Sequence, residues 1–467
     1  MTGETVIKNG TVVTESGSFQ GSVYIKDEKI KAIGDHESFS SPGTIIDAEG
    51  KLVMPGMVDP HVHLDDVFTM DSYESGSSAA ALGGITTFID FAWQGWVDET
   101  TPWGSAEEAP SLTQAVARKK SKASEVLVDY GLHASVTRED IRVFEELRDI
   151  LADGITSIKM LTINGVGISN GFMDSVFRFL ADKGAVAMVH TEDPSVCGHL
   201  TEKFQREGKT DFVWFPESRP DYTEAMAADD AVQMAIESGC KYYGVHTTSK
   251  KAADVLVSSQ LKHGKELVRA ETCTHYMKFT EEIYEDEEKA PLGKIIPPLR
   301  TDADAESLLE YVMTGTLDVV STDHGSYSRA DKTKSENWWD VAPGSPSLQY
   351  SLPVFHDLAV NSGRMSYSEL VQVMAYNPAQ LFGLPEKGSL EPGTDADIVI
   401  FDPDKEFVVN SKNNAAAADY SLYEGQKLTG AVDKTFVRGE LVADNGHIVA
   451  EPGHGHFLER ELPDWDF

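Results

Sequence analysis

A TIM-like (β/α)8 barrel, carrying a small β-sandwich built from both chain ends, is the α/β architecture that this 467-residue sequence predicts. Two observations lead to it. The middle of the chain alternates short apolar runs with helical stretches, the pattern of a parallel α/β fold. Both ends instead read as short strands broken by turn residues.

In residues 1–54, "TVIKNGTVVTESG" holds an Asn9-Gly10 hairpin signal, and "GSVYIKDEKIKAIG" alternates around Asp27 and Glu28. Residues 55–385 follow with candidate barrel strands in "MPGMVDPHVH", "GITTFIDFA", "VLVDYGLHAS", "GITSIKML", "GAVAMVHTE", "KYYGVHTTS", "KELVRAETCTH" and "TLDVVSTDHG". These supply the strand count that a closed barrel of this type needs. In residues 386–449, "GTDADIVIFDPDKEFVV" and "KTFVRGELVADNG" are strand-like again, so the two ends are expected to pair into one sandwich. Residues 450–467 form a tail rich in acidic, His and Pro residues, to which no chemistry is assigned.

Hydrophobic residues make up 41% and charged residues 25% of the chain, ordinary values for a globular protein. The sign of the charge is not ordinary, since 40 basic against 76 acidic residues give −36. That balance argues against nucleic acid as a partner, because a phosphate backbone calls for a basic surface. The acidic residues are spread along the chain, which points to a heavily solvated surface and a high-salt cytoplasm, where 1 M salt screens charge over about 3 Å. Circular dichroism across a salt titration checks this halophilic reading: the native signal is expected to require salt, and a full signal without salt would refute it.

Cys197, Cys240 and Cys273 are far apart, odd in number and free of any C-x-x-C spacing, which suits a reducing interior rather than a disulfide framework or a thiolate zinc site. The start, "MTGETVIKNG", lacks a basic segment and an apolar core, and no apolar run approaches the length of a membrane span. A cytoplasmic location and no membrane partner are the expectations.

His61 and His63 end the first candidate barrel strand one residue apart, and alternate side chains of a strand share a face, so both rings can reach one spot. His190 ends "AVAMVH", His246 ends "YYGVH" and Asp323 ends "LDVVSTD". Polar groups from four strands thus gather at the carboxyl end of one barrel, where reactive groups of this fold sit. Imidazole and carboxylate are ligands for zinc, iron or manganese, so a metal centre is predicted. Lys159 lies in "GITSIKML" among apolar neighbours, where a buried ammonium must be paired or lose its proton. Two readings of it stand on spacing alone. Its amine reaches to the barrel mouth, or the uncharged amine takes up carbon dioxide as a carbamate able to bridge two metals about 3.5–4 Å apart.

"PGMVDPHVHL", "GITSIKM", "VHTED", "GVHTTS", "ETCTHYM", "PPLR", "STDHG", "NPAQLFGL" and "GSLEPGTDADIVIFDP" together resemble the hydantoinase and dihydropyrimidinase family of cyclic amidohydrolases, from about residue 4 to residue 446. The resemblance implies a hydrolase acting on C–N bonds of a small cyclic amide or ureide, with two divalent metal ions per chain, zinc first among the candidates. His61, His63 and Asp323 would hold the more buried ion and His190 and His246 the more exposed one, with Lys159 as N6-carboxylysine between them. Asp323 would move a proton from the attacking water to the leaving ring nitrogen. Homotetramers are common in the family. His324, His275 and His133 are expected to support the site or the structure, because the implied ligand set is complete without them.

The substrate pocket departs from the family's pattern. Asn164 stands where a tyrosine usually donates to the oxyanion, Ile296 replaces the substrate-binding serine before "PPLR", and Asp340 replaces an asparagine. An ionised Asp340 only accepts hydrogen bonds, which would suit a substrate with extra N–H donors. "SPSLQYSLP" looks more like an allantoinase, the alternative reading. Dihydroorotase is disfavoured because Leu64, Asp65 and Asp66 follow the histidine pair where an anionic substrate wants an arginine. A non-catalytic relative is disfavoured by the complete ligand set, and a deaminase by the lysine. The stretch 93–110, with Trp93, Trp96 and Trp103, reads as a packing or subunit contact first and an aromatic lid second.

Overall fold

The computed structural model describes residues 4–35, 43–95, 110–163 and 165–467. The chain opens with β1 (Thr5–Thr14), β2 (Gly17–Lys26), β3 (Lys29–Gly34), β4 (Thr44–Asp47) and β5 (Leu52–Pro55). β1 and β2 pair antiparallel, with a register shift between Ile7 and Gly10, while β4 and β5 each run parallel to β1.

Eight parallel strands follow: β6 (Met57–Val62), β7 (Ile85–Trp93), β8 (Asp129–Ser135), β9 (Ser157–Leu161), β10 (Val186–His190), β11 (Lys241–Gly244), β12 (Val268–Cys273) and β13 (Val319–Ser321). They are neighbours in sequence order, and each matches one of the expected runs. Just beyond β13, His324 pairs with Val62, and the His63 N–H donates to the His324 carbonyl at 2.8 Å, which brings the eighth strand back to the first. Helices join successive strands, and their starts follow capping chemistry. Ser72, Ser111 and Thr301 each accept from the backbone three residues on, while the side chain there reaches back to the cap. Every residue of β7 is buried, as a strand walled in on both faces requires.

β14 (Ile398–Val408), β15 (Lys427–Val437), β16 (Glu440–Asp444) and β17 (His447–Ile448) return to the N-terminal strands, and β14 pairs antiparallel with β5. The two ends therefore meet, as expected, in one mixed sheet outside the barrel. Its core joins Ile7, Val12, Val23 and Val53 to Ile398, Ile400 and Phe436. Burying each such side chain contributes about 1.5–3 kcal/mol.

Residues 455–465 pack beneath the barrel. The Gly455 N–H donates to Val126 O, the Tyr130 N–H to His456 O, and the Leu458 N–H to Tyr130 O at 2.7 Å. Arg460 is buried, with its guanidinium donating to Leu132 O at 2.6 Å and to Ser157 Oγ at 2.7 Å. Trp465 is also buried, donates to Leu381 O, and receives Arg269 on its carbonyl. The segment from which no chemistry was expected is thus part of the core. No helix among the described residues is long and apolar enough to cross a membrane.

Candidate metal centre

Each candidate ligand sits where a strand runs into its loop. His61 lies in β6 and His63 just past it, Lys159 in β9 and His190 at the end of β10, and His246 and Asp323 two residues beyond β11 and β13. All six line one cavity of about 100 Å³ at the carboxyl ends of the strands. Phe91 of β7 packs against the group: its ring stacks on His63 at 4.9 Å, lies 4.8 Å from His61, and has the Lys159 amine 5.4 Å from its centroid.

Asp323 Oδ1 lies 3.1 Å from His61 Nε2 and 3.3 Å from His63 Nε2, and His190 Nδ1 lies 3.0 Å from His246 Nε2. His61, His246 and Asp323 offer ligand atoms within 4.8 Å of one another, a group able to hold a metal ion. Two of the ligands adopt left-handed backbone, His246 at φ 33° and Asp323 at φ 45°. Such conformations cost about 1–3 kcal/mol and persist where the surroundings over-determine them. For His246 part of that restraint is visible, since its N–H donates to Glu271 Oε1 at 3.0 Å.

Carboxylates stand behind the rings. Glu271 Oε1 lies 2.5 Å from His61 Nδ1, Glu192 Oε2 lies 2.9 Å from His190 Nε2, and Asp66 Oδ2 lies 3.6 Å from His63 Nδ1. The first two fix tautomers: an imidazole donating on its far side presents a bare lone pair to the centre. In that tautomer His61 Nε2 faces the Asp323 oxygen lone pair to lone pair, an arrangement satisfied by a cation. The donor set therefore fits a metal. Glu271, Glu192 and Asp66 were missed in the sequence, where each is one carboxylate among many. The available signal for Glu271 was a charged residue inside the apolar run "LVRAETC".

Burial pushes the Lys159 amine down to about 8, with Asp323, Glu271 and Cys273 acting in the opposite direction. About a tenth of the amine is then uncharged at pH 7, far more than for a solvated lysine. Burial alone would raise the Asp323 carboxyl, but positive charge facing it at His61 and His63, carried by the rings or by a cation between them, outweighs this and holds it well below the usual carboxylate range.

The supporting histidines resolve individually. His324 sits between Asp71, 2.9 Å from its Nε2, and the Ser347 N–H, which donates to its Nδ1, so it clamps the loop after Asp323. His133 donates through Nε2 to Pro60 O at 2.9 Å and meets Ser157 Oγ through Nδ1. His275 is buried, pushed down to about 4 by burial, and packs on Tyr276 at 4.2 Å.

The substrate residues expected from the sequence part company. Ile296 lines the cavity, together with Phe68, Trp93, Leu161, Ile163 and Ile295. Asp340 does not line it: the side chain is exposed and accepts from Asn337 Nδ2 at 2.9 Å within its own turn. The turn thus holds the Asp340 carboxylate away from the described residues that line the cavity. Asn164 lies outside the described residues, as do Trp96 and Trp103. Trp93 is buried, contacts the ring of His63 and donates through Nε1 to Asp66 Oδ2 at 3.1 Å.

A barrel whose strand ends gather four histidines, a lysine and an aspartate defines the class of metal-dependent hydrolases. The amidohydrolase family profile matches residues 52–442, and the chain belongs to that family. The chain is 35% identical to a D-hydantoinase of Rhizobium radiobacter over 97% of this chain and 98% of that one. It is 30% identical to an allantoinase of Bacillus licheniformis, over 97% and 99% of the two chains. The crystal structure of a dihydropyrimidinase from Brevibacillus agri superposes with a TM-score of 0.92 at 28% identity, covering 98% of this chain and 99% of that one.

Proposed function

We propose that this chain is a cytoplasmic cyclic amidohydrolase of the hydantoinase and dihydropyrimidinase type, with two zinc ions per chain, working as a homo-oligomer, by resemblance a tetramer. The observation that carries the reading is the placement of His61, His63, Lys159, His190, His246 and Asp323 around one cavity with apolar walls. His61, His63 and Asp323 would hold one ion, His190 and His246 the other, and carboxylated Lys159 both. Bound metal ions supply an acidified water and a polarised carbonyl.

The rest is done by the chain. Uncharged Lys159 adds carbon dioxide, releasing a proton and gaining two acceptor oxygens. Ionised Asp323 accepts the proton of the attacking water and returns it to the ring nitrogen as the C–N bond breaks, giving an N-carbamoyl acid or a relative of it. Glu271 and Glu192 hold the imidazoles in register. Phe68, Trp93, Ile163, Ile295 and Ile296 offer apolar surface to a ring substituent. No arginine lines the cavity among the described residues, so the carboxylate of dihydroorotate would be buried without a partner.

Ring opening of hydantoin, 5-phenylhydantoin, dihydrouracil, allantoin and dihydroorotate, measured with zinc and bicarbonate in high salt, tests the reading. 5-Phenylhydantoin is expected to react fastest. A preference for allantoin would restore the alternative, and no turnover of any in protein holding two metals per chain would overturn the reading. Lys159→Ala is expected to fold and to lose both metals. A Lys159→Ala protein with full metal content would remove the bridging role.

A further inference from the structure

One wall of the cavity is built from Ile295, Ile296, Pro343 and Gly344, which belong to segments almost fifty residues apart. Lys332 closes the short helix Arg329–Lys332 and is fully buried. Its ammonium donates to Lys294 O at 2.8 Å, Ala342 O at 3.0 Å and Gly344 O at 2.9 Å. Among the described residues it has no carboxylate in ion-pair range. Burial pushes the amine well down from the ordinary lysine value, but three carbonyl oxygens around it, each accepting an N–H, favour the protonated form and saturate its three donors.

Those carbonyls are the ones that set the wall. Lys294 immediately precedes Ile295 and Ile296, and Ala342 and Gly344 flank Pro343. A second lysine ties the same seam, since Lys294 is buried and its amine donates to Val341 O, while the Gly344 N–H donates to Lys294 O at 3.0 Å. Gly344 has φ 141°, and a Cβ there would sit 2.3 Å from Gly325 O, so the wall lies hard against the loop that carries Asp323.

The geometry points to Lys332 as a positioning residue for the substrate: its ammonium fastens the two segments of the cavity wall to each other. Without the amine, Ala342 O loses its donor, Lys294 O keeps only the Gly344 N–H and Gly344 O only the Tyr420 hydroxyl at 3.4 Å, and the segments regain water by separating. The metal ligands stand on other elements, so the damage should fall on substrate binding before chemistry. This inference rests on the functional reading above for its kinetic part only.

Lys332→Met keeps the length of the side chain without its donors, and Lys332→Gln keeps two donors. For Lys332→Met, KM for 5-phenylhydantoin is expected to rise about tenfold with kcat changed less than about threefold. Metal content should stay unchanged, and amide hydrogen exchange in 292–296 and 341–345 should quicken. Lys332→Gln should recover part of both effects. Unchanged KM and exchange in Lys332→Met would overturn the inference, as would equal losses in kcat and kcat/KM accompanied by lost metal, which mark general disruption. Should Lys332→Met fail to fold, the same comparison is decided on Lys332→Gln. If the unaltered protein opens no cyclic amide, the functional reading fails, and the exchange of the two segments alone decides the role of Lys332.

Discussion

Asp323→Asn is expected to fold, to melt near the temperature of the unaltered protein, and to lose at least about a thousandfold in kcat for hydantoin opening. General acid–base groups contribute about 10²–10⁴, and Asp323 also holds the charge that His61 Nε2 and His63 Nε2 face at 3.1 and 3.3 Å. The amide preserves volume, so packing survives. What it removes is a negative charge at the metal centre and the group that accepts the water's proton. Steady-state kinetics, with metal content measured on the same sample, checks this. A kcat within tenfold of the parent at equal metal content would move the proton to another group.

Lys387→Met is expected to cost about 3–5 kcal/mol of stability, the range for breaking a buried ion pair by removing one partner. Lys387 is buried where the barrel meets the outer sheet, with its amine 2.6 Å from Asp129, 2.8 Å from Asp397 and 2.9 Å from Asp395. The Arg438 guanidinium pairs with Asp129, and its main-chain N–H donates to Asp397 Oδ1 at 2.8 Å. Lys29 pairs with Asp395 at 2.7 Å, so three carboxylates face three cations, and the variant leaves three against two. In the parent, burial alone would raise Asp129, but Lys387 and Arg438 outweigh this and lower it. Its contribution is therefore present above the unfolded carboxylate pKa and lost as pH falls through the lower folded value. Without Lys387 the crowded carboxylates rise instead, and acid relieves them by protonation. The deficit should accordingly be larger at pH 7 than at pH 5 in urea unfolding. A loss under about 1 kcal/mol at pH 7 would show the network to be compensated by water.

The barrel was legible because each of its strands is an apolar run that stops at a polar residue, and in β6, β10 and β13 that stop is a candidate ligand or leads directly to one. The joining of the two ends was legible for a related reason, since alternation in both implied exposed faces needing one core. What could not be read depends on distant chain. Glu271 meets His61 across 210 residues of sequence, and its place in "LVRAETC" marks a charge inside a strand without naming the partner. Asp340 shows another limit, because a position matched by motif says nothing about the turn in which Asn337 holds its carboxylate. The segment after residue 450 was read by composition as an acidic, His- and Pro-rich tail, which does not show that Arg460 and Trp465 pack it against the barrel.

That segment has a consequence for how the molecule is made. Residues 455–465 seal the base of a barrel whose strands lie between residues 57 and 321, so vectorial synthesis leaves the floor open until well over a hundred further residues have been added. Until then the carbonyls of Leu132 and Leu381 lack the donors that cap them in the finished fold. The protein is thus assembled like a vessel whose walls stand before its floor is laid, and its most vulnerable interval, to aggregation or to a chaperone's grip, is the synthesis of the stretch between residues 321 and 455.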